Sequence, residues 1–274
     1  MVKGSYRVTM PAMSKNHHRA RKRFGQNFLQ DTGVINAIVR AINPLPEDHL
    51  VEIGPGQGAL TEQLSASACR LDVIELDRDL VPGLLAAFSV NPQFRLHSAD
   101  ALTFDYESLA DDKLPLRVVG NLPYNISTPL IFKLLENTAT IRDMHFMLQL
   151  EVVDRLAASP GSKAWGRLGI MAQYHCDVEK LFEVPPEAFN PRPKVQSAIV
   201  RLAPWQESPW PACDPQLLRQ VVKAAFGQRR KTLRNNLKGL IDITRLEMLG
   251  IDPGARAETL ALPQFIEITT AIHG

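Results

Sequence analysis

The stretch Leu50-Val51-Glu52-Ile53-Gly54-Pro55-Gly56-Gln57-Gly58-Ala59 decides how this chain folds. A short buried strand runs into a glycine-rich turn, and the apolar spacing that follows reads as a helix over 59–67. Glycines at such a turn let the backbone pass close to a ligand at the carboxyl end of a sheet. The pattern then recurs. Leu71-Asp72-Val73-Ile74-Glu75-Leu76 reads as a second strand, residues 78–88 as a helix, and Phe94–His97 and Leu116–Gly120 as further strands. Upstream, Asp31 can cap a helix carrying Val34, Ile35, Ile38, Val39 and Ile42. Downstream, Ser127 begins a helix through Leu130, Ile131, Leu134 and Leu135, and Met144–Leu150 and Ser197–Leu202 read as later strands. Strands alternating with helices of this length predict an α/β fold with a Rossmann-like, doubly wound parallel sheet. Between Pro204 and Pro215 the composition shifts to a linker with Trp205, Pro209, Trp210 and Pro211, and beyond it the pattern is helical to the end. The expected division is a sheet domain over 1–207, with 1–20 as a flexible basic extension, and a small all-helical domain over 208–274.

Composition narrows the function classes. A hydrophobic content of 45% and a charged content of 22% are those of a globular protein. No apolar run approaches the roughly 20 residues that cross a bilayer, and the basic N-terminus lacks the apolar core of a secretory signal. Cys69, Cys176 and Cys213 are odd in number and far apart, which argues against a disulfide framework or a zinc site. The expectation is a cytoplasmic protein without membrane or metal. The net charge of +2 hides an uneven distribution. Residues 1–23 and residues 219–238 each hold seven Lys/Arg and no acid, while the remainder carries the other 17 basic side chains and all 29 acidic ones. Either segment alone reads as a solvated tail or helix face. Two of them on an acidic body point to a polyanionic partner such as nucleic acid.

The chemistry concentrates in Gly120-Asn121-Leu122-Pro123-Tyr124. The run offers a side-chain amide, a backbone carbonyl, a rigid proline and an aromatic face. The Asn121 amide oxygen and the Leu122 carbonyl can accept both hydrogens of an amino group on a planar base, with Tyr124 stacked on the ring. A strand end followed by an ordinary turn explains the same residues. The glycine turn is equally ambiguous: Gly54, Gly56 and Ala59 satisfy the loose dinucleotide pattern, and Glu75 follows at about the spacing of its ribose-binding acid. A nicotinamide enzyme would also need a hydride-transfer acid or base, and His17, His18, His49, His97, His145, His175 and His273 have no obvious partner in the sequence. Glu75 at the second strand end can hold ribose hydroxyls, and Asp100 after the third can accept from an adenine amine. Together with Gly54 and Asn121 they line successive strand tips on one edge of the sheet.

Six segments in order resemble one family: Arg21-Lys22-Arg23-Phe24-Gly25-Gln26-Asn27-Phe28-Leu29, Val51–Gly56, Ile74–Asp77, Asn121–Ser127, Asn190–Ala198 and Phe226–Thr232. The chain resembles the ribosomal RNA small-subunit adenine dimethyltransferases, relatives of the rRNA methyltransferases that confer macrolide resistance. The resemblance implies S-adenosylmethionine as methyl donor. It also implies two methyl groups on each of two adjacent adenosines near the 3′ end of small-subunit (16S) rRNA, within a precursor subunit. Carried over, Asn27 and Leu29 would contact the donor, Gly54 would lie beneath it, Glu75 would hold its ribose and Asp100 its adenine. Asn121, with Leu122 and Pro123, would border the donor and accept from the target amine. Tyr124 and Phe189 would sandwich the target base. Arg21, Lys22, Arg23, Arg229, Arg230, Lys231 and Arg234 would contact RNA, and the enzyme is expected to act as a monomer. Two rivals stand beside this: a DNA adenine methyltransferase, disfavoured by Leu122 and by Phe226–Thr232, and a ribosome-assembly factor whose methylation is secondary.

Overall fold

The structure, a computed structural model of the chain, describes residues 26–67, 69–110 and 114–273. A two-residue strand β1 (Phe28–Leu29) precedes α1 (Thr32–Ile42), which Asp31 caps by accepting from the Val34 N–H at 2.8 Å. The glycine turn joins β2 (His49–Ile53) to α2 (Ala59–Ala66) as the local sequence requires. β3 (Arg70–Ile74), α3 (Val81–Phe88) and β4 (Phe94–His97) carry the chain to one edge of the sheet. It returns to β5 (Leu116–Asn121), followed by α4 (Ser127–Leu135) and β6 (Ile141–Gln149). Then come α5 (Leu150–Leu156), α6 (Arg167–His175), β7 (Cys176–Val184), β8 (Phe189–Asn190) and β9 (Ser197–Pro204). The remainder is helical: α7 (Pro215–Ala225), α8 (Leu233–Asn236), α9 (Ile243–Met248) and α10 (Leu262–His273).

The large sheet has the order β4-β3-β2-β5-β6-β9-β7. Neighbours from β4 to β6 run parallel, whereas β9 pairs antiparallel with both β6 and β7. The predicted parallel sheet therefore continues into an antiparallel pair. β7 escaped the sequence reading because it is an edge strand, exposed or half-buried between its two ends, without a clean alternation of apolar residues. Helices on both faces explain why the central strands are buried on both sides. Val51, Ile53 and Val118 enter one cluster with Leu130 and Ile131, and Leu50 and Val119 enter the other with Ile35, Ile38 and Leu64. The second strand stops at Ile74, so Glu75 lies just beyond it. The helical pattern expected to run to the end is also interrupted across the basic segment 219–238. α7 ends before Gly227, residues 228–231 form a tight turn, and α8 supplies one helical turn carrying Arg234.

Buried polar groups fasten the sheet away from the strand tips. The Arg117 guanidinium reaches Asp48 at 2.6 Å and Asp143 at 3.0 Å, and it donates to the last carbonyl of α1, Ile42, at 2.6 Å. Two histidines also find partners that the sequence did not disclose. His49 and His97 place Nε2 at 2.7 and 2.6 Å from the two oxygens of the fully buried Asp72. Burial by itself would raise the Asp72 carboxyl, but the two imidazoles hold it well below the usual carboxylate range.

Candidate active site

Because the chain moves outward from β2 to β4 and returns beside β2 at β5, the sheet has its switch point between β2 and β5, where open α/β sheets bind ligands. The two strands approach closely at Gly120. A Cβ there would lie 2.5 Å from the Ile53 carbonyl oxygen, so only glycine fits. Above this point opens a cavity of about 300 Å³, lined by Asn27, Phe28 and Leu29, by the Gly54–Gln57 turn, and by Glu75, Asp100 and the Asn121–Ile126 run. Gly56 has φ +59°, and a Cβ on it would meet the Phe28 ring at 3.1 Å. At Gly54 and Gly56 the turn thus brings bare backbone to the cavity.

The acids are oriented by the backbone. Glu75 accepts from the Gly56 N–H at 3.2 Å on one oxygen and from the Asp77 N–H at 2.7 Å on the other. It is 6% exposed, and burial pushes its carboxyl upward against those two hydrogen bonds. Asp100 is half-buried, with one oxygen accepting from the Leu102 N–H at 2.9 Å. The segment before α1 crosses the cavity as a strap. Gln26 Nε2 donates to Asp77 at 3.0 Å, and the Asn27 carbonyl accepts from Asn121 Nδ2 at 3.0 Å. That last bond defines how the Asn121 amide is turned. Its nitrogen is engaged by the strap, and no described residue donates to its oxygen or to the neighbouring Leu122 carbonyl. Two acceptors that no described residue engages thus belong to adjacent residues of the cavity lining.

Tyr124 lines the cavity, its hydroxyl 2.8 Å from Ser197 Oγ, and burial raises its phenol. Phe189 is placed differently. It is 5% exposed, pairs with Leu29 in the β1–β8 ladder, and packs in the apolar cluster beneath the strap rather than on the cavity lining. Of the residues expected to contact RNA, Arg229, Arg230, Lys231 and Arg234 are exposed. Arg229 donates to the Lys163 carbonyl at 3.1 Å and lies 3.7 Å from Glu258. Arg21, Lys22 and Arg23 lie outside the described residues. Among the described residues, no group of His, Cys, Asp or Glu could hold a metal ion, and no helix is long and apolar enough to cross a membrane.

A model of the family described as ribosomal RNA adenine dimethylase matches residues 17–273. The chain belongs to that family. Two curated relatives are each 61% identical over 255 residues, spanning 93% of this chain and 95% of the relative. Both are named ribosomal RNA small subunit methyltransferase A, one from Saccharophagus degradans and one from Pseudomonas aeruginosa. Among solved structures, a dimethyladenosine transferase from Plasmodium falciparum superposes with a TM-score of 0.78 at 25% identity, over 90% of this chain and 97% of that one. The 23S rRNA methyltransferase ErmE superposes with a TM-score of 0.69 at 26% identity, over 90% of this chain and 100% of that one.

One cavity residue of this dimethylase went unread. Glu52 lies in the middle of β2, 2% exposed, and accepts from Thr61 Oγ1 at 2.7 Å. A charged residue inside an apolar strand was the available signal. Burial pushes its carboxyl up to about 7; the Thr61 hydrogen bond opposes this and the Glu75 charge adds to it. A raised carboxyl favours the folded state at low pH, and that contribution is lost as pH rises from about 4.5 through about 7. Glu52→Gln should therefore leave urea stability nearly unchanged at about pH 5 and increase it by on the order of 1–3 kcal/mol at about pH 8. Identical midpoints for both proteins at the higher pH would contradict a buried, proton-binding Glu52.

Proposed function

We propose that the cavity binds S-adenosylmethionine and that the chain transfers methyl groups to the exocyclic amines of two adjacent adenosines near the 3′ end of 16S rRNA. The observation that carries this reading is the pair of free acceptors, Asn121 Oδ1 and the Leu122 carbonyl, at the switch point beside the cavity. When bound, the donor supplies a methyl group already activated on a sulfonium, so the protein's task is alignment. Glu75, held by two backbone N–H groups, takes the ribose hydroxyls; Asp100 takes the adenine amine; Asn27, Leu29 and Gly54 close around the donor. The target amine is conjugated into its ring and is a poor nucleophile. Two acceptors bind its hydrogens and turn the nitrogen lone pair toward the methyl carbon, a fixed geometry that can supply several kcal/mol of barrier lowering. The proton leaves after nitrogen has become cationic, when water is a sufficient base, so the reaction needs no catalytic His or Lys.

A stacked adenosine cannot present its amine, so the base leaves its stack at a cost of a few kcal/mol. Tyr124 takes one face of the base and Phe189 the other, the latter by turning out of its apolar packing. The 208–274 region grips the RNA through Arg230, Lys231 and Arg234, with Arg229 tying the 228–231 turn to the loop before α6. The substrate is rRNA within a precursor small subunit, which places the chain in small-subunit biogenesis in the cytoplasm, acting as a monomer. Reversing charge at Arg230 and Lys231 should weaken subunit binding by roughly tenfold or more at moderate salt and leave donor affinity unchanged. Parallel loss of both affinities would mean that these residues hold the fold together.

The test of the function is nucleoside analysis of unmethylated small subunits incubated with the protein and labelled donor. The expected label is in N6,N6-dimethyladenosine, at neighbouring positions near the 3′ end. Label confined to another nucleoside would overturn the assignment.

A further inference from the structure

Within Asn190–Ala198, Ser197 braces the cavity residue Tyr124, and Phe189 lies just before the segment. The intervening loop joins β8 to β9, and each of its ends touches a residue that lines the cavity. Phe189 is paired to the strap through Leu29, and Ser197 holds the Tyr124 hydroxyl. Between them the loop is braced. Its prolines at 191 and 193 each lock φ, and Pro193 is buried. Arg192 pairs with Glu187, and the Gln196 carbonyl accepts from the Leu150 N–H at 2.9 Å. Gln196 Nε2 donates to Glu183 at 3.0 Å. What this braced loop presents to solvent is Lys194, which has no acidic partner among the described residues, and Val195, a β-branched apolar side chain 42% exposed. Val195 is two residues from Ser197, so its backbone lies within about 7 Å of the residue that positions Tyr124.

An apolar side chain on a rigid tip, a cation beside it, and a pocket wall for an unstacked base immediately behind form a recognisable combination. Proteins that unstack bases insert small apolar wedges into the vacated step and hold the displaced backbone by its phosphates. Resting on the RNA reading of the site, we propose that the Lys194–Val195 tip is a second RNA contact. Val195 fills the gap that the target adenosine leaves, and Lys194 holds the phosphate beside that gap. The tip thus governs how readily the base reaches Tyr124, and it has no part in holding the donor. Val195 is a positioning residue in this account, since it touches the RNA stack and not the reacting atoms.

The experiment uses the full chain and unmethylated small subunits, with enzyme saturating, and follows one round of methyl transfer from labelled donor. Val195→Ala should slow transfer by about tenfold at saturation, with donor affinity and melting temperature unchanged, because half-exposed Val195 contributes little to the core. Val195→Leu should restore the rate to within about twofold. Lys194→Gln should weaken subunit binding and reduce the slope of log affinity against log salt by about one unit. Transfer by Val195→Ala at the wild-type rate, or a loss confined to donor affinity, overturns the wedge. An unchanged salt slope for Lys194→Gln overturns the phosphate contact. Should the wild-type chain itself methylate DNA and not the subunit, the RNA reading of the site fails, independently of the tip.

Discussion

Asn121→Ala should reduce methyl transfer by a factor on the order of 10²–10³ or more, the cost of removing one preorganised hydrogen-bonding group at a reacting centre. The loss should appear in single-turnover transfer while subunit affinity stays within about twofold, because the amide touches one amino group in a large interface. The structure adds a second consequence. Asn121 Nδ2 donates to the Asn27 carbonyl, so alanine also releases the strap from the cavity rim, and donor affinity should fall modestly. Asn121→Asp separates the two effects. It keeps an acceptor toward the amine but replaces the N–H that binds Asn27 with an oxygen that repels it. Equal losses of transfer and subunit affinity in Asn121→Ala would mean that the residue supports the fold and does not act on the substrate.

The largest stability effect is expected at Arg117. Arg117→Met keeps an extended apolar stem but leaves Asp48 and Asp143 facing each other without the guanidinium, and strips the last carbonyl of α1 of its donor. Removing one partner from a buried charge network typically costs about 3–5 kcal/mol, because the remaining charges stay desolvated. Urea unfolding at pH 7 should show a loss of that size. Arg142, which reaches Asp48 at 3.1 Å from a half-exposed position, can compensate only in part. A loss below about 1 kcal/mol would show that water reaches these carboxylates and that the network is effectively a surface one.

How far the sequence was legible follows from the range of each interaction. The β2–turn–α2 unit and the β5–Asn121 end were readable because glycines and apolar periodicity act over a few neighbouring residues. Glu75 and Asp100 were readable for a related reason, since each follows a recognisable strand. The β1–β8 pair was not, because two residues near position 28 meet two near position 190 and neither pair has a strand pattern of its own. Asp72 looked like an ordinary strand residue, and His49 and His97 looked unpartnered. Parallel pairing of β3 with both β2 and β4 brings them together. The break between α7 and α8 was not legible, because the basic side chains of 219–238 carry no signal for where a helix stops. Phe189 was named through the resemblance, but its pairing with Leu29 depends on a segment some 160 residues away that local sequence does not disclose.

The central claim is that a clamp at the β2–β5 switch point presents an rRNA adenine amine to S-adenosylmethionine. The most direct measurement offers labelled donor and the full chain to unmethylated small subunits, naked rRNA and duplex DNA side by side, with Asn121→Ala as control. The account predicts label in the subunit, as two methyl groups on each of two adjacent adenosines, with loss of transfer in the variant. Label in DNA alone, or transfer to the subunit that persists undiminished without Asn121, would contradict it.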